Sequence, residues 1–220
     1  MKIVKKSAYL QRMGLLYTLL GLPPLLVSLL VCGLNPLVAL IPLLLASFLL
    51  AKGARYFQGE WGEGSVSRFL SRILDDRYTL IRNLQIAKSQ PDLDAVLVGP
   101  SGVLVMEIKN YSPKYSYRCE GSDWFWRKPG KRYRRKEESP TKQAIINTSY
   151  LKTYLSHHGI RDIPIETVVV ITNPKAKFYV KKPHRPIFHP KELGEHIQSL
   201  AEEPLDDTIC DSIVNLLKHV

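Results

Sequence analysis

Asp94, Glu107 and Lys109 are the residues whose types and spacing could act together on a substrate. They lie in PDLDAVLVGPSGVLVMEIKN, residues 91–110, two apolar stretches around a Gly-Pro-Ser-Gly turn with charges at the ends far from the turn. Side chains alternate along a strand, so Val103, Val105, Glu107 and Lys109 share one face, with Glu107 and Lys109 about 7 Å apart. Pairing across a turn from Gly99 to Gly102 sets Val98 against Val103, Asp94 against Glu107 and Asp92 against Lys109. Two carboxylates placed opposite each other repel, and beside an apolar surface an unpaired charge costs more. A divalent cation between them removes the conflict: Mg2+ (or Mn2+) takes oxygen ligands and needs only one or two protein carboxylates. Such an ion can activate a water and clamp a phosphate oxygen, and Lys109 adds a fixed positive charge for the transition state. The same spacing also fits a structural hairpin end with Glu107–Lys109 and Asp92–Lys109 ion pairs.

The elements that must hold these residues are legible as alternating patterns. EGSVSRFLSRILDD (63–76) carries Val66, Phe69, Leu70, Ile73 and Leu74 at helical spacing, after a short connector GARYFQGEWGEG (53–64). Strands are expected at Thr79–Leu84, Leu93–Val98 and Val103–Lys109, followed by a meander through YSYRCEGSDWFWRKPGKRYRRK with turns at EGSD and KPGK. A Ser-Pro signal at Ser139–Pro140 starts a helix that stops at Gly159. ETVVVIT (166–172) reads as a buried strand, and helices near Lys191–Ala201 and Leu205–Lys218 close the chain. The order predicts an α/β fold with a mixed sheet between helices.

No charged residue lies between Arg12 and Lys52. As one helix this run would be roughly 58 Å long at ~1.5 Å per residue, whereas a bilayer core is about 30 Å thick. Two passes near Gly14–Val31 and Pro36–Ala51, joined at CGLNP, fit better. Pro23 and Pro24 should kink the first and Pro42 disturb the second, which a membrane tolerates. Lys2, Lys5, Lys6 and Arg12 precede the first pass, and Lys52 and Arg55 follow the second. The expectation is therefore a two-helix anchor over 1–55 in the cytoplasmic (inner) membrane, with both termini and the 56–220 domain in the cytoplasm. A buried soluble hairpin and a cleaved leader ending at LLVC are the alternatives.

The formal net charge of +11 suits a polyanionic partner. Cys32, Cys119 and Cys210 are too scattered for a zinc site or a disulfide framework, as expected in a reducing compartment. His157–His158, His184 and His189 have no partner at metal-ligand spacing. The most basic stretch is WFWRKPGKRYRRK (124–136). Its Arg127, Lys128, Lys131, Arg132, Arg134, Arg135 and Lys136, interleaved with aromatics, could contact phosphates while the rings stack on bases, or could face anionic lipid.

Several segments together resemble the nuclease-related domain (NERD) family, a branch of the PD-(D/E)XK nuclease superfamily. GEWGEGSVSRFL resembles its opening Gly-x-x-Gly-Glu helix through Gly59, Gly62 and Glu63. LDAVLVGPSGVLVMEIKNYS resembles its central Asp…Glu-x-Lys signature, and SPTKQA its Asn-Pro-x-x-Gln motif, with Ser139 in place of Asn and Gln143 kept. The resemblance implies a restriction-endonuclease-like mixed sheet and Mg2+-dependent hydrolysis of phosphodiesters in nucleic acid, DNA above RNA, leaving a 5′-phosphate. It implies that Asp94 and Glu107 bind the metal, with the Ile108 carbonyl and Glu63 as further ligands. Lys109 would be the catalytic lysine, and Gln143 would orient substrate or water. It favours Asp94 over Asp92, although Pro91–Asp92 spells the superfamily's first letters. Asn147 and Tyr150 continue the Gln143 face, where they could line the same cleft, though they read rather as packing or surface residues. The rival expectations are an inactive nucleic-acid-binding module and a lipid-interacting scaffold on the same fold.

Overall fold

In the computed structural model of the chain, residues 1–5, 8–87, 92–200 and 205–220 are described. Lys6, Pro91 and Ala201, which figure in the expectations above, lie outside them. From the N-terminus the elements are β1 (Lys2–Lys5), α1 (Tyr9–Cys32), α2 (Pro36–Ile73), β2 (Thr79–Leu84), β3 (Leu93–Gly99) and β4 (Gly102–Lys109). Then come β5 (Ser116–Glu120), β6 (Asp123–Arg127), β7 (Arg134–Arg135), α3 (Pro140–His157) and β8 (Ile165–Ile171). β9 (Lys177–Lys181), β10 (Ile187–Phe188), α4 (Pro190–Ser199) and α5 (Asp207–Lys218) complete the chain. It divides into two units, Ala8–Trp61 and the remainder, Met1–Ser7 with Gly62–Val220.

In the first unit, two apolar helices are each long and apolar enough to cross a membrane, with mean hydropathy 2.1. Their contact is built from small residues. Gly14, Gly21 and Ser28 are buried on α1, and Ala39, Ala46 and Gly53 on α2, each set repeating every seven residues. Such residues let backbones approach closely where no water drives association. A Cβ on Gly21 would meet Leu50 at 2.9 Å, and one on Gly53 would meet Thr18 Oγ1 at 2.9 Å and the Gly14 carbonyl at 3.0 Å. The Ser28 hydroxyl donates across the seam to the Ala39 carbonyl at 2.9 Å. The outward leucines are exposed, Leu30 to 77% and Leu37 to 76%. Pro23 and Pro24 sit inside α1, and Pro42 inside α2, without ending either helix.

The second unit is built on a six-stranded mixed sheet of order β1-β2-β3-β4-β8-β10. β2, β3 and β4 run antiparallel in sequence, while β4–β8, β8–β10 and β1–β2 are parallel. One face packs Leu80, Leu97, Leu104 and Met106 against Val66 and Leu70 of α2 and against Leu193 and Ile197 of α4. The other packs Ile81, Val96, Val103 and Val105 against Leu151 and Leu155 of α3 and Ile213 and Leu217 of α5. A separate four-stranded sheet, β7-β6-β5-β9, lays Tyr117, Cys119 and Trp124 against Ala144, Val169 and Ile171.

Three expectations need correcting. The glycine-rich connector is absent, because α2 runs unbroken from Pro36 to Ile73. Its Gly62 is a packing position: a Cβ there would lie 2.9 Å from the Asn110 Cβ and 3.2 Å from Thr172 Oγ1. The N-terminal Lys2–Lys5, read only as flanking charge, forms an edge strand beside β2. The aromatic-basic meander has one strand more than the sequence predicts, since β9 pairs parallel with β5 and widens it into a sheet.

Candidate metal and phosphodiester site

Val98 pairs with Val103 and Gly99 with Gly102, as the turn predicts. Gly102 is required there. Its φ is +95°, and a Cβ would stand 2.6 Å from the Pro164 carbonyl. Regular pairing of β3 with β4 ends at Ala95–Met106, so Asp94 and Glu107 are the next two residues, set side by side where the ladder stops. There the Asp94 carboxylate accepts the Ile108 N–H at 2.7 Å. Lys109 donates a short hydrogen bond to Glu107 Oε1. The ion pair of Lys109 is thus with Glu107, while Asp92 stands close enough to raise the Asp94 pKa.

Glu107 is 1% exposed, and its Oε2 has no hydrogen-bond partner. Burial, then the Asp94 charge, push its carboxyl up to about 8, with Lys109 working against them. Burial likewise raises Asp94, opposed by Lys109 and by the Ile108 N–H. Burial works to lower Lys109, but Asp94 and Glu107 outweigh it and the ammonium is held more firmly. Two carboxylates and one lysine share a poorly hydrated space with less positive charge than negative.

Glu63 is also buried, on the last turns of α2, and its charge contributes to raising the Glu107 pKa. Its Oε2 accepts from Arg82 Nη2 at 3.2 Å. Among the described residues, no group of three or more His, Cys, Asp and Glu is arranged to hold a metal ion. The carboxylates of Asp94 and Glu107 are therefore the nearest to a donor pair, with Glu63 engaged by a cation. Asp94, Glu107, Lys109 and Glu63 are brought into one electrostatic neighbourhood. Ile108 is fixed between Glu107 and Lys109 by the bond from its N–H.

Within this unit, four further buried oxygens have no hydrogen-bond partner. Thr172 Oγ1 follows β8 and Tyr111 Oη follows β4, both buried and unpartnered. Asn83 Oδ1 is a third, on β2. The pairs Arg82–Ala95 and Leu84–Leu93 flank Asn83 and place it opposite Asp94, with a left-handed φ of 53°. Asn147 Oδ1 is a fourth, on the buried stripe of α3 between Ala144, which packs with Val169 and Ile171, and Leu151, which packs with Val103 and Val105. Val169 and Ile171 are the register partners of Glu107 and Lys109, so Asn147 comes down near the Glu107 level. Gln143, one turn earlier, is half-buried. Tyr150 is half-buried farther along the same helix. Buried polar atoms ordinarily find partners, so these four are candidates to face whatever the carboxylates hold. By sequence Asn147 could line the cleft, but Asn83 has no assigned role, since its only signal is the tolerance of Asn for left-handed backbone.

The basic stretch divides into two hollows that share Trp126 and Arg134. Arg127, Lys128, Lys131 and Arg132 line one of about 240 Å3. Arg135, Lys136, Glu137 and Glu138 line the other, about 400 Å3. Arg135 is tied to Asp123 at 2.8 Å. Lys136 turns away from solvent, its ammonium 5.4 Å from the centre of the Tyr111 ring. Burial, then Lys109, lower its pKa, against the pull of Glu138. Of the basic residues singled out, Lys136 is the one that reaches the carboxylates' neighbourhood. Trp124, at the start of the stretch, is fully buried and donates from Nε1 to Thr141 Oγ1 at 2.8 Å. Ser139, standing where the family motif has Asn, caps α3 by accepting the Lys142 N–H at 3.2 Å.

No curated protein and no solved structure gives a significant match to the chain. The family model of the nuclease-related domain matches residues 58–172, more than half of the chain. That span holds Glu63, Asp94, Glu107, Lys109 and Gln143, and it ends at Thr172, whose N–H donates to the Lys109 carbonyl at 3.1 Å. The chain belongs to the nuclease-related domain family, whose domain is of the PD-(D/E)XK nuclease type.

Proposed function

We propose that the protein is a membrane-anchored, Mg2+-dependent nuclease that hydrolyses phosphodiester bonds, with DNA as its substrate. The observation that carries this reading is Glu107: a fully buried carboxylate with an unpartnered oxygen, beside Asp94 and Lys109 at a strand end within the family span. The donor set fits a hard divalent ion, since Asp94 and Glu107 would supply the one or two carboxylates that Mg2+ takes. The Ile108 carbonyl and Glu63 would be further candidates, Glu63 only if it leaves Arg82. When bound, the ion would supply Lewis acidity to a phosphoryl oxygen and to the attacking water.

The chain's own residues do the remaining work. Asp94 is oriented by the Ile108 N–H. Lys109 holds its proton and places a positive charge beside the carboxylates, where negative charge builds on the phosphoryl group. Gln143 and Asn147, on the helix above β4 and β8, would orient substrate or water. The strand order around β2-β3-β4-β8 supports a restriction-endonuclease-like core. The two apolar helices support anchoring. The chain segments before and after them fold into one unit, and only an even number of passes returns a chain to the side it left. Positive flanks then favour the cytoplasmic face of the inner membrane, which would confine cutting to nucleic acid near that membrane.

The test is plasmid cleavage with Mg2+ and with EDTA, on the wild type and on Asp94→Ala, Glu107→Ala and Lys109→Ala. Cleavage that needs Mg2+ and is lost in each variant is the expected result. Equal activity in all four proteins would remove the site assignment.

A second reading, a nucleic-acid-binding module without turnover, is favoured by the Arg82–Glu63 pair and the lack of a three-ligand cluster among the described residues. Mg2+ titration separates the two readings. Salt-sensitive DNA binding with no saturable Mg2+ site supports the second.

A further inference from the structure

The four-stranded sheet has an outer face that extends beyond both the family span and the basic stretch, through β9 and its Tyr179. Its inner face is closed: Tyr117, Cys119, Trp124, Trp126 and Phe178 all belong to one packed cluster. Alternation sends the intervening residues outward, and β9 shows it directly, with Lys177, Tyr179 and Lys181 exposed and Phe178 and Val180 half-buried.

Register lines up one outward residue from each strand. Tyr179 is the partner of Arg118, Arg118 of Phe125, and Phe125 of Arg135. The row crosses the whole sheet as ring, guanidinium, ring, guanidinium, at intervals of about 4.8 Å, the spacing of neighbouring strands. The Arg118 guanidinium lies 4.8 Å from the centre of Phe125 and 4.7 Å from that of Tyr133, and Arg127 lies 4.6 Å from Tyr133 on the same side. These contacts lay guanidinium groups over the Phe125 and Tyr133 rings and fix the row before any ligand arrives. Tyr179 is 60% exposed at the end of the row.

Charge on this face is sorted. Its acids, Glu120 and Asp123, are already engaged by cations: Glu120 by Arg118 at 3.8 Å and Lys181 at 4.0 Å, Asp123 by Arg135 at 2.8 Å and Lys142 at 2.7 Å. Among the described residues, Arg127 and Lys177 have no carboxylate partner at the opposite end. Free cations beside a row of flat faces match a chain of phosphates with unstacked bases. A duplex keeps its bases stacked inside and cannot use the flat faces. A lipid surface would use the cations but gains little from a row of guanidinium-stacked rings. At its far end the row reaches Arg135, and the next residue, Lys136, turns inward, its ammonium 5.4 Å from the centre of the Tyr111 ring that follows β4.

We propose that the outer face of this sheet is a stacking platform for single-stranded nucleic acid, with Tyr179 as an exposed base-stacking residue. The further step, that the strand leads by way of Lys136 to Asp94 and Glu107, rests on the nuclease reading above.

The experiment uses the full chain in detergent with EDTA, so that no turnover occurs. Fluorescence anisotropy is read with labelled dT12 and with a twelve-base-pair duplex. Tyr179→Ala is expected to weaken dT12 binding roughly 5- to 150-fold, the range for one base–aromatic stack. Tyr179→Phe should keep it, and duplex binding should change by less than about twofold. Unchanged dT12 binding in Tyr179→Ala overturns the platform, as does an equal loss for the duplex. Displacement of dT12 by dihexanoylphosphatidylglycerol in the wild type, absent in Tyr179→Ala, would also overturn it by assigning the face to lipid headgroups. Plasmid cleavage together with an inert Tyr179 would remove the platform and leave the nuclease. Tyr179-dependent dT12 binding without cleavage would do the reverse.

Discussion

Metal binding at Asp94 and Glu107 should release a proton, and how many it releases tests the site quantitatively. Glu107 titrates at about 8 in the folded, metal-free chain, against an ordinary value of 4.5. A metal ligand must be deprotonated, so at pH 7 binding has to expel the proton from roughly ten in every eleven molecules, or about 0.9 protons per ion. Asp94 is raised too, so the release belongs to the pair and cannot be assigned to one residue. Apparent Mg2+ affinity should climb about tenfold per pH unit up to pH 8, then level off, each unit being about 1.4 kcal/mol.

The same shift fixes the sign of the stability change without metal. The raised carboxyl is neutral in both states below about pH 4.5 and costs nothing. Between 4.5 and 8 the unfolded chain ionises first, so stability falls, by at most about 5 kcal/mol once both states are charged. Glu107→Gln should therefore unfold at higher urea than wild type at pH 9, should match it at pH 4, and should release fewer protons with Mg2+ than wild type, those of Asp94 alone. Calorimetry in buffers of different ionisation enthalpy counts the protons. A release below about 0.3 at pH 7, or the same release at pH 7 and pH 9, would refute the buried, proton-bearing Glu107 and with it the reasoning from the strand end.

Three further outcomes are expected. Arg82→Met strands Glu63 without its buried cation and should cost about 3–5 kcal/mol by urea denaturation, much of it recovered in Arg82→Met with Glu63→Gln. Gly102→Ala should lose about 2 kcal/mol or more and abolish cleavage, because a left-handed backbone and the Pro164 carbonyl both exclude a side chain. Gly130→Ala has positive φ but open space and should lose only about 1 kcal/mol. Ser139→Ala should remove about 1 kcal/mol of helix capping, seen as a lower thermal midpoint, while Ser139→Asn retains it.

The placement of Asp94 beside Glu107 could be read from the chain because it rests on short-range rules. A Gly-Pro-Ser-Gly turn fixes the pairing, alternation carries it six residues along, and no distant contact intervenes. The uncharged run from Met13 to Ala51 is equally local, since length and hydropathy alone mark both helices. The seven-residue repeats Gly14–Gly21–Ser28 and Ala39–Ala46–Gly53 were also available in the sequence as a sign of close helix packing. The glycines at 59, 62 and 64 misled because glycine marks both linkers and tight contacts. Which one applies at Gly62 depended on Asn110 and Thr172, far away in sequence, meeting the helix.

What only tertiary structure decided follows the same logic. β9 is five residues flanked by lysines, with no periodicity strong enough to stand out, and it becomes a strand because β5 offers a free parallel edge. Glu63 carries the same carboxylate wherever it lies, but the fold gives it Arg82. Asn83 and Asn147 become possible site residues only through burial beside the strand ends. Sequence determined the charges and the hairpin that holds them, because turns and alternation act between near neighbours. The tertiary structure decided which of those charges are left without partners, because desolvation and pairing depend on everything else that packs around them.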